Sequence, residues 1–401
     1  MSGGVDSSVA ALLMKEKGYT CMGATMKLYQ NEDVGLRREH TCCSLDDVED
    51  ARSVAYALDM PYYVFNFADR FKTDVIDKFV HSYETGVTPN PCIDCNRYLK
   101  FDKLFQRMVE LNYDYVVTGH YAQIDFDENT GRYLLKKAVD HNKDQSYVLW
   151  SLTQEQLKHV QFPLGGMEKC EVRALAEAHN FINARKHDSQ DICFVQNGSY
   201  ADFIEQYTGK TYPPGDFVDT DGNVLGQHRG VIRYTIGQRK GLGLALPAPL
   251  YVKSVDIEKN TVTLSPESEL FKKELTASGI NLISVAEIKE PMHIKAKVRY
   301  RQPEQWATVT QTGPDSLKVV FDEPQRAITC GQSVVLYDGE TATLVKEDYQ
   351  NFRVTLGGKE YFLRSNSDSA TKDILPLLVF ESWWEDYDGE YKFNGNTVKL
   401  E

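Results

Sequence analysis

A chain of 401 residues with 42% hydrophobic and 26% charged residues exceeds what one core organises, so two to four domains are expected. No apolar run approaches a membrane span, and the chain opens on a glycine turn instead of a basic stretch and apolar core. A membrane protein and a secretory leader are therefore not indicated, and a cytoplasmic location is expected. A net charge of −13 excludes capture of nucleic acid by overall attraction, although a local basic groove stays open, and the eight cysteines do not read as a disulfide framework.

In chain order, SSVAALLMKEKG predicts a helix ended by Gly18, TCMGATMKLY a strand, and SLDDVEDARSVAYALDM a helix capped near Ser44. PYYVFNF predicts a strand, FKTDVIDKFVHSYETG a helix, and YDYVVTGHYA a short buried strand running into a loop. Such alternation predicts an α/β fold with a parallel sheet, whose ligands sit beyond the carboxyl ends of the strands. From about residue 210 short alternating runs broken by Gly, Pro, Asp and Asn predict small β domains, with DGN and EKN as hairpin turns. The boundaries drawn are 1–200 for a catalytic domain, 201–274 for a central domain, 275–345 for a β-barrel and 346–401 for an extension. Trp383 and Trp384 predict that the extension folds onto something, and its acidity suits a partner-binding role better than a tRNA-binding one.

Ser2-Gly3-Gly4-Val5-Asp6-Ser7 precedes the first helix. Two glycines allow a tight turn with inward N–H groups, serines add donors, and the helix end behind them carries partial positive charge. The loop suits an anion, but it lacks the GxxxxGK[ST] pattern of ordinary γ-phosphoryl transfer. A plain Gly-Ser helix cap is the competing reading. SGGVDS resembles the signature of the PP-loop ATP-pyrophosphatases, which cleave ATP between the α- and β-phosphates and adenylate a carbonyl oxygen that nitrogen or sulfur then replaces.

Two cysteine segments bear on the nucleophile: TPNPCIDCN (88–96) and DSQDICF (188–194). Taken singly, each cysteine reads first as a buried structural residue, and Cys92–Cys95 alone does not complete a zinc site. With the motifs SGGVDSSVAA, CCSLDDVEDA, TPNPCIDCN, LKFDKL, VTGHYA, KDQSYVL, PLGG, EVR, DSQDICF, YTIGQRKGLG, RYR and RAITCGQ in order, residues 1 to about 345 resemble the bacterial tRNA-uridine 2-sulfurtransferases.

That resemblance implies a PP-loop ATP-binding domain, a central tRNA-binding domain and a C-terminal β-barrel. It implies ATP-dependent 2-thiolation of uridine at the wobble position of tRNAs for Lys, Glu and Gln. ATP would be held by Ser2, Gly3, Gly4, Val5, Asp6 and Ser7, with Met26 and Gly119 against the adenosine and Mg²⁺ offsetting phosphate charge. Cys193 matches the persulfide carrier, and Cys95 the second catalytic cysteine, joined to it by a transient disulfide. Asn90, Pro91 and Cys92 match residues around the flipped target base. His120, Lys143, Asp144, Gln145, Arg299, Tyr300 and Gln332 match the remaining tRNA contacts. Each of these also has a structural reading: His120 a loop cap, the KDQ run a solvated turn, Arg299 an exposed strand face. Lys295, Lys297, Arg299 and Arg301 recur at period two as a basic stripe. Both thiols should lie beside positive charge or a helix N-terminus. Lys186 and Arg185 are basic residues near Cys193 in sequence. A separate cysteine desulfurase or sulfur-relay protein would supply the persulfide.

Some family members have aspartate where this chain has Cys92, so Cys92, Cys95 and Cys193 together form an alternative ligand set for an iron–sulfur cluster. His40, Cys42 and Cys43 read as helix-start packing instead of a metal cluster, and Cys330 receives no role. An amidating PP-loop ligase is disfavoured because no glutaminase-like region is evident. A tRNA-binding protein with an impaired ATP site is the alternative from another class. It is tied to the apolar strand that the resemblance places before Ser2, and Met1 is accordingly expected to be an internal residue of a longer product.

Overall fold

The computed structural model describes residues 1–29, 45–188, 192–195 and 199–338, with the backbone of five short strands beyond them. Ser44, His40, Cys42, Cys43, Trp383 and Trp384 lie outside the described residues, as do residues 189–191 of the DSQDICF segment.

The first helix, Val5–Glu16, is amphipathic in burial, with Val5, Val9, Leu12 and Met14 turned inward. It ends as its sequence predicts, with Gly18 at φ +86° in the left-handed region that glycine enters without steric cost. Strand Gly23–Lys27 pairs in parallel with Tyr62–Asn66, Gly23 opposite Tyr62. Strand Val116–Val117 pairs in parallel with Val160–Gln161. Parallel pairing of strands separated by helices fits the α/β expectation. Met1 runs beside the first strand: its amino group donates to the Ala24 carbonyl, and its own carbonyl accepts from Thr25 Oγ1 at 2.6 Å. The expectation for FKTDVIDKFVHSYETG holds, with a π-helical turn, Lys72–Ile76, between the α-helical pieces Ala68–Phe71 and Asp77–Glu84.

The central β unit is a four-stranded sheet in the order Val224–His228, Gly215–Val218, Thr261–Ser265, Tyr251–Asp256. DGN and EKN both fall in its hairpin connections, with Gly222 at φ +89° and Asn260 at φ +50°. The third unit is an antiparallel five-stranded sheet in the order Phe271–Ser278, Ser316–Arg326, Gln305–Gly313, Met292–Lys297, Val335–Tyr337. Its inner face closes over Ile294, Ala307, Val309, Val319 and Phe321. Beyond it, Asn351–Leu356 pairs with Lys359–Arg364 and Gly389–Phe393 with Asn396–Leu400, both antiparallel.

Two contacts fix the units relative to the site. An aromatic cluster of Phe71, Phe79, Phe194 and Phe203 joins the α/β unit to the central unit, whose Phe217 and Tyr234 belong to the same core. Burying one such ring contributes about 2–3 kcal/mol. The barrel docks on the α/β unit through polar contacts. Tyr147 donates to the Ser333 carbonyl at 2.8 Å, and Asn281 Nδ2 donates to the carbonyls of Trp150 and Leu152. Among the described residues no helix is long and apolar enough to cross a membrane.

Candidate active site

The glycine loop is built from within. Ser7 Oγ donates to the Gly4 carbonyl at 3.0 Å and accepts from the Ser2 N–H at 3.1 Å. Gly3 sits at φ +72°, where a Cβ would run into the backbone of Asp47. Behind the loop, buried Asn183 donates to the Gly3 carbonyl and to Ser8 Oγ, both at 2.9 Å. Gly4 is the N-cap of the first helix and offers no side chain, so the first-turn N–H groups stay available to an anion. The loop therefore fits a phosphate chain on its own geometry.

Gly119, at the carboxyl end of strand Val116–Val117, lies against this loop. A Cβ on it would stand 2.6 Å from the Asp6 carbonyl carbon and 2.8 Å from the Ser7 nitrogen, both backbone atoms that cannot swing away. Gly119→Ala is therefore expected to displace the loop and lower its affinity for a phosphate ligand by about tenfold or more, overpacking of this kind costing ~1–3 kcal/mol. Calorimetric titration with a nucleoside triphosphate measures it.

Asp6 faces inward to an ion cluster. Lys169 Nζ lies 2.7 Å from Asp6 Oδ1 and 2.8 Å from Asp188 Oδ1. Asp188 also binds Arg173 at 3.0 Å and Lys143 at 2.8 Å. Burial alone would raise the Asp188 carboxyl, but hydrogen bonds and charge from Lys143 and Lys169 outweigh it and bring the pKa to about 2. A depressed carboxylate stabilises the fold above its unfolded pKa and loses that contribution as pH falls through the folded one. Asp188→Asn is thus expected to cost roughly 2 kcal/mol at neutral pH. Its deficit relative to wild type should shrink as pH drops from about 4 towards 2, read by denaturant melts at each pH.

The thiols come next. Asn90 caps the helix starting at Pro91, its Oδ1 accepting from the Cys92 N–H at 3.2 Å, and Cys95 follows one turn later at the start of the π-helical stretch Cys95–Lys103. Cys92 is reached by solvent through the cavity although protein surrounds it on most sides. Burial pushes its thiol up, and Lys100 opposes the shift. Cys95 is likewise pushed up by burial, with Lys100 again opposing. Lys100 is the cation that sequence reasoning missed. Its Nζ lies 3.3 Å from His120 Nε2, and His120 Nδ1 lies 2.7 Å from Thr118 Oγ1. Burial, then the Lys100 charge, holds His120 neutral well below its ordinary range. An ammonium can only donate, so Nε2 accepts from Lys100 and the ring proton is assigned to Nδ1.

Cys193 is held from both sides. Its carbonyl accepts from Tyr29 Oη at 3.1 Å, and the next residue, Phe194, is 1% exposed in the aromatic cluster. Of its basic sequence neighbours, Arg185 is 90% exposed beside Glu177, whereas Lys186 lines the same cavity as Cys193 and binds Asp47 and Asp50 at 2.5 and 2.7 Å.

One cavity of about 1480 Å³ gathers these parts, and Cys92, Cys95 and Cys193 share it with the glycine loop. Of the residues singled out from sequence, Gly3, Asn90, Arg299 and Gln332 do not line it; Met26, Pro91, Gly119, His120, Lys143 and Tyr300 do. Asp144 and Gln145 line it as well while bracing their turn. Asp144 accepts from the N–H groups of Ala138 and Ser146, and Gln145 Oε1 from that of Tyr121. Gln332 stands behind the loop that leads into Asn90, its Nε2 donating to the Thr88 carbonyl at 2.9 Å. The basic stripe divides. Lys297 and Arg301 face the cavity, Lys295 lies over the Trp306 ring, and Arg299 turns inward to the carbonyls of Ile236 and Ala327.

Among the described residues no group of three or more His, Cys, Asp or Glu side chains is arranged to hold a metal ion. Cys92, Cys95 and Cys193 are thus not arranged in this structure as the ligand set of an iron–sulfur cluster.

Family models match the chain in three consecutive stretches: a tRNA methyl transferase HUP domain over residues 1–197, a tRNA methyl transferase PRC-barrel domain over 201–266, and an aminomethyltransferase beta-barrel domain over 272–342. The chain is 52% identical over 341 residues to the tRNA-specific 2-thiouridylase MnmA of Acetivibrio thermocellus, covering 85% of this chain and 95% of that one. It is 51% identical over 340 residues to the enzyme of that name from Clostridioides difficile, covering 85% and 94%. Against that of Symbiobacterium thermophilum it is 48% identical over 344 residues, covering 85% and 88%. With identity of this level along nearly the whole length of these relatives, the chain belongs to the tRNA-specific 2-thiouridylase family.

Proposed function

We propose that this chain catalyses ATP-dependent 2-thiolation of the wobble uridine in tRNAs for Lys, Glu and Gln. The observation that carries the reading is the placing of Cys95 and Cys193 in one cavity with the Ser2–Ser7 loop. ATP lies with its phosphates on that loop and its adenosine against Met26 and Gly119. Mg²⁺, when bound, offsets the charge of the triphosphate. The uracil is flipped into the cavity past Asn90, Pro91 and Cys92. Its O2 attacks the α-phosphorus and pyrophosphate leaves, which converts a poor leaving group into AMP.

The terminal sulfur of a Cys193 persulfide then attacks C2, and AMP departs carrying the former O2. Cys95 as thiolate attacks the Cys193 sulfur. The bond to the transferred sulfur breaks with its electron pair on the base, which becomes 2-thiouridine, and a Cys95–Cys193 disulfide forms. An external dithiol reduces that disulfide, and a separate cysteine desulfurase or relay protein reloads Cys193. His120, Lys143, Tyr300 and Arg301 face the incoming anticodon, while Arg299 and Gln332 brace the walls behind it. The matching domain descriptions speak of methyl transfer; the thiols of Cys95 and Cys193 in the cavity and 2-thiouridylase relatives favour sulfur. Nucleoside analysis of tRNA from a strain lacking the gene tests the reading. Loss of 2-thiouridine is expected, and a normal level would overturn it.

A further inference from the structure

Asp188 stands five residues before Cys193 in sequence. It is the shared partner of three cations, Lys143 and, four residues apart on one helix, Lys169 and Arg173. Lys169 also holds Asp6 of the ATP loop, Lys143 lies on the cavity wall, and Arg173 belongs to the helix Lys169–Ala178. Arg173 further donates to the carbonyls of Ala184 and Lys186, which fixes the chain just ahead of Asp188. On the far side, Phe194 is sealed in the aromatic cluster. In the chain, Cys193 thus follows an ionic anchor at Asp188 and directly precedes an apolar one at Phe194, and Asp188 is joined to the ATP loop through Lys169.

We propose that Asp188 is a positioning residue that couples the ATP loop to delivery of sulfur from Cys193, an inference that rests on the function proposed above. The Lys169 ammonium is shared between Asp6 and Asp188. A triphosphate on the Ser2–Ser7 loop changes the charge facing Asp6, and Lys169, which binds Asp6 and Asp188 alike, passes that change to Asp188 and so to its bonds with Arg173 and Lys143. Nucleotide occupancy and the hold on the Cys193 segment thereby report on one another, and Lys143 brings the tRNA-facing wall into the same linkage. Without the Asp188 charge the base is still adenylated, but the persulfide is not presented on time, and activated uridine is lost to water.

The test is the amount of AMP formed per 2-thiouridine formed, with tRNA, ATP, cysteine and a cysteine desulfurase supplied. This ratio does not depend on how much of the variant is folded. For Asp188→Asn it should rise about tenfold over wild type, the loss of a charge-assisted contact set being of that size. Asp188→Glu, which keeps the charge, should restore at least part of the coupling. AMP and 2-thiouridine falling in proportion in Asp188→Asn, or an unchanged ratio, would overturn the inference. Absence of 2-thiouridine from the wild-type reaction itself would count against the proposed function instead.

Discussion

Cys193→Ala is expected to abolish 2-thiouridine formation, by about a thousandfold or more, while pyrophosphate release continues. The expectation follows from a division of labour within one cavity. In the proposed reaction the glycine loop and Gly119 serve the nucleotide, with Asp6 held by Lys169, and none of these contacts involves the sulfur of Cys193. Its removal leaves Phe194 in the aromatic cluster and the Tyr29 bond to the main-chain carbonyl intact, so the wall keeps its shape. Cys95→Ala should fail at a different point. Carbon–sulfur bond formation would proceed, and tRNA would remain attached to Cys193 until an added dithiol released it as thiolated product. A denaturing gel with and without dithiothreitol distinguishes the two variants. Equal pyrophosphate loss in Cys193→Ala would contradict the separation.

Lys100→Met should slow release of the thiolated base by about ten- to a hundredfold at neutral pH, through loss of thiolate at Cys95. Burial already pushes the Cys95 thiol up, and the Lys100 charge is what opposes it. The wild-type release step should therefore quicken with rising pH, roughly tenfold per unit up to the thiol pKa. In Lys100→Met the same profile should move to higher pH. Lys100→Arg, which keeps the charge, should stay close to wild type. The sign is fixed by the chemistry, since only the thiolate attacks. The Lys100–His120–Thr118 chain also explains why His120 is ill suited as a base: its Nε2 lone pair is occupied by an ammonium, and burial and the Lys100 charge hold its pKa well below the ordinary range. A single-turnover pH profile unaffected by loss of the Lys100 charge would refute this assignment.

What the sequence makes legible is what local chemistry dictates. SGGVDS before a helix, Gly18 after it, and the DGN and EKN turns each carry their conformation in residues that adopt it easily, and the structure agrees at all four. The parallel pairing was readable for the same reason, because helical and strand periodicities alternate in short segments. What stayed hidden depends on approach across the fold. Lys100 and His120 are 20 positions apart, and Lys169 and Asp6 163 apart, so no spacing rule joins them. The basic stripe shows the converse. Its period-two spacing holds only to Lys297, where the strand ends: Arg299, in the bend that follows, turns to the Ile236 carbonyl, while Lys297 and Arg301 open to the cavity. Charge at Cys193 was sought in its sequence neighbours Arg185 and Lys186, whereas the structure commits them to Glu177, Asp47 and Asp50.

The central claim, that one cavity joins adenylation to sulfur transfer from cysteine, is tested most directly by reconstitution. The protein is incubated with unmodified tRNA, ATP, Mg²⁺, cysteine and a cysteine desulfurase, and the tRNA is digested to nucleosides and weighed by mass spectrometry. Wobble uridine should have exchanged its O2 for sulfur, with AMP and pyrophosphate formed in step with it. Unmodified uridine despite ATP cleavage, or a uridine carrying a methyl group in place of the sulfur, would contradict the account.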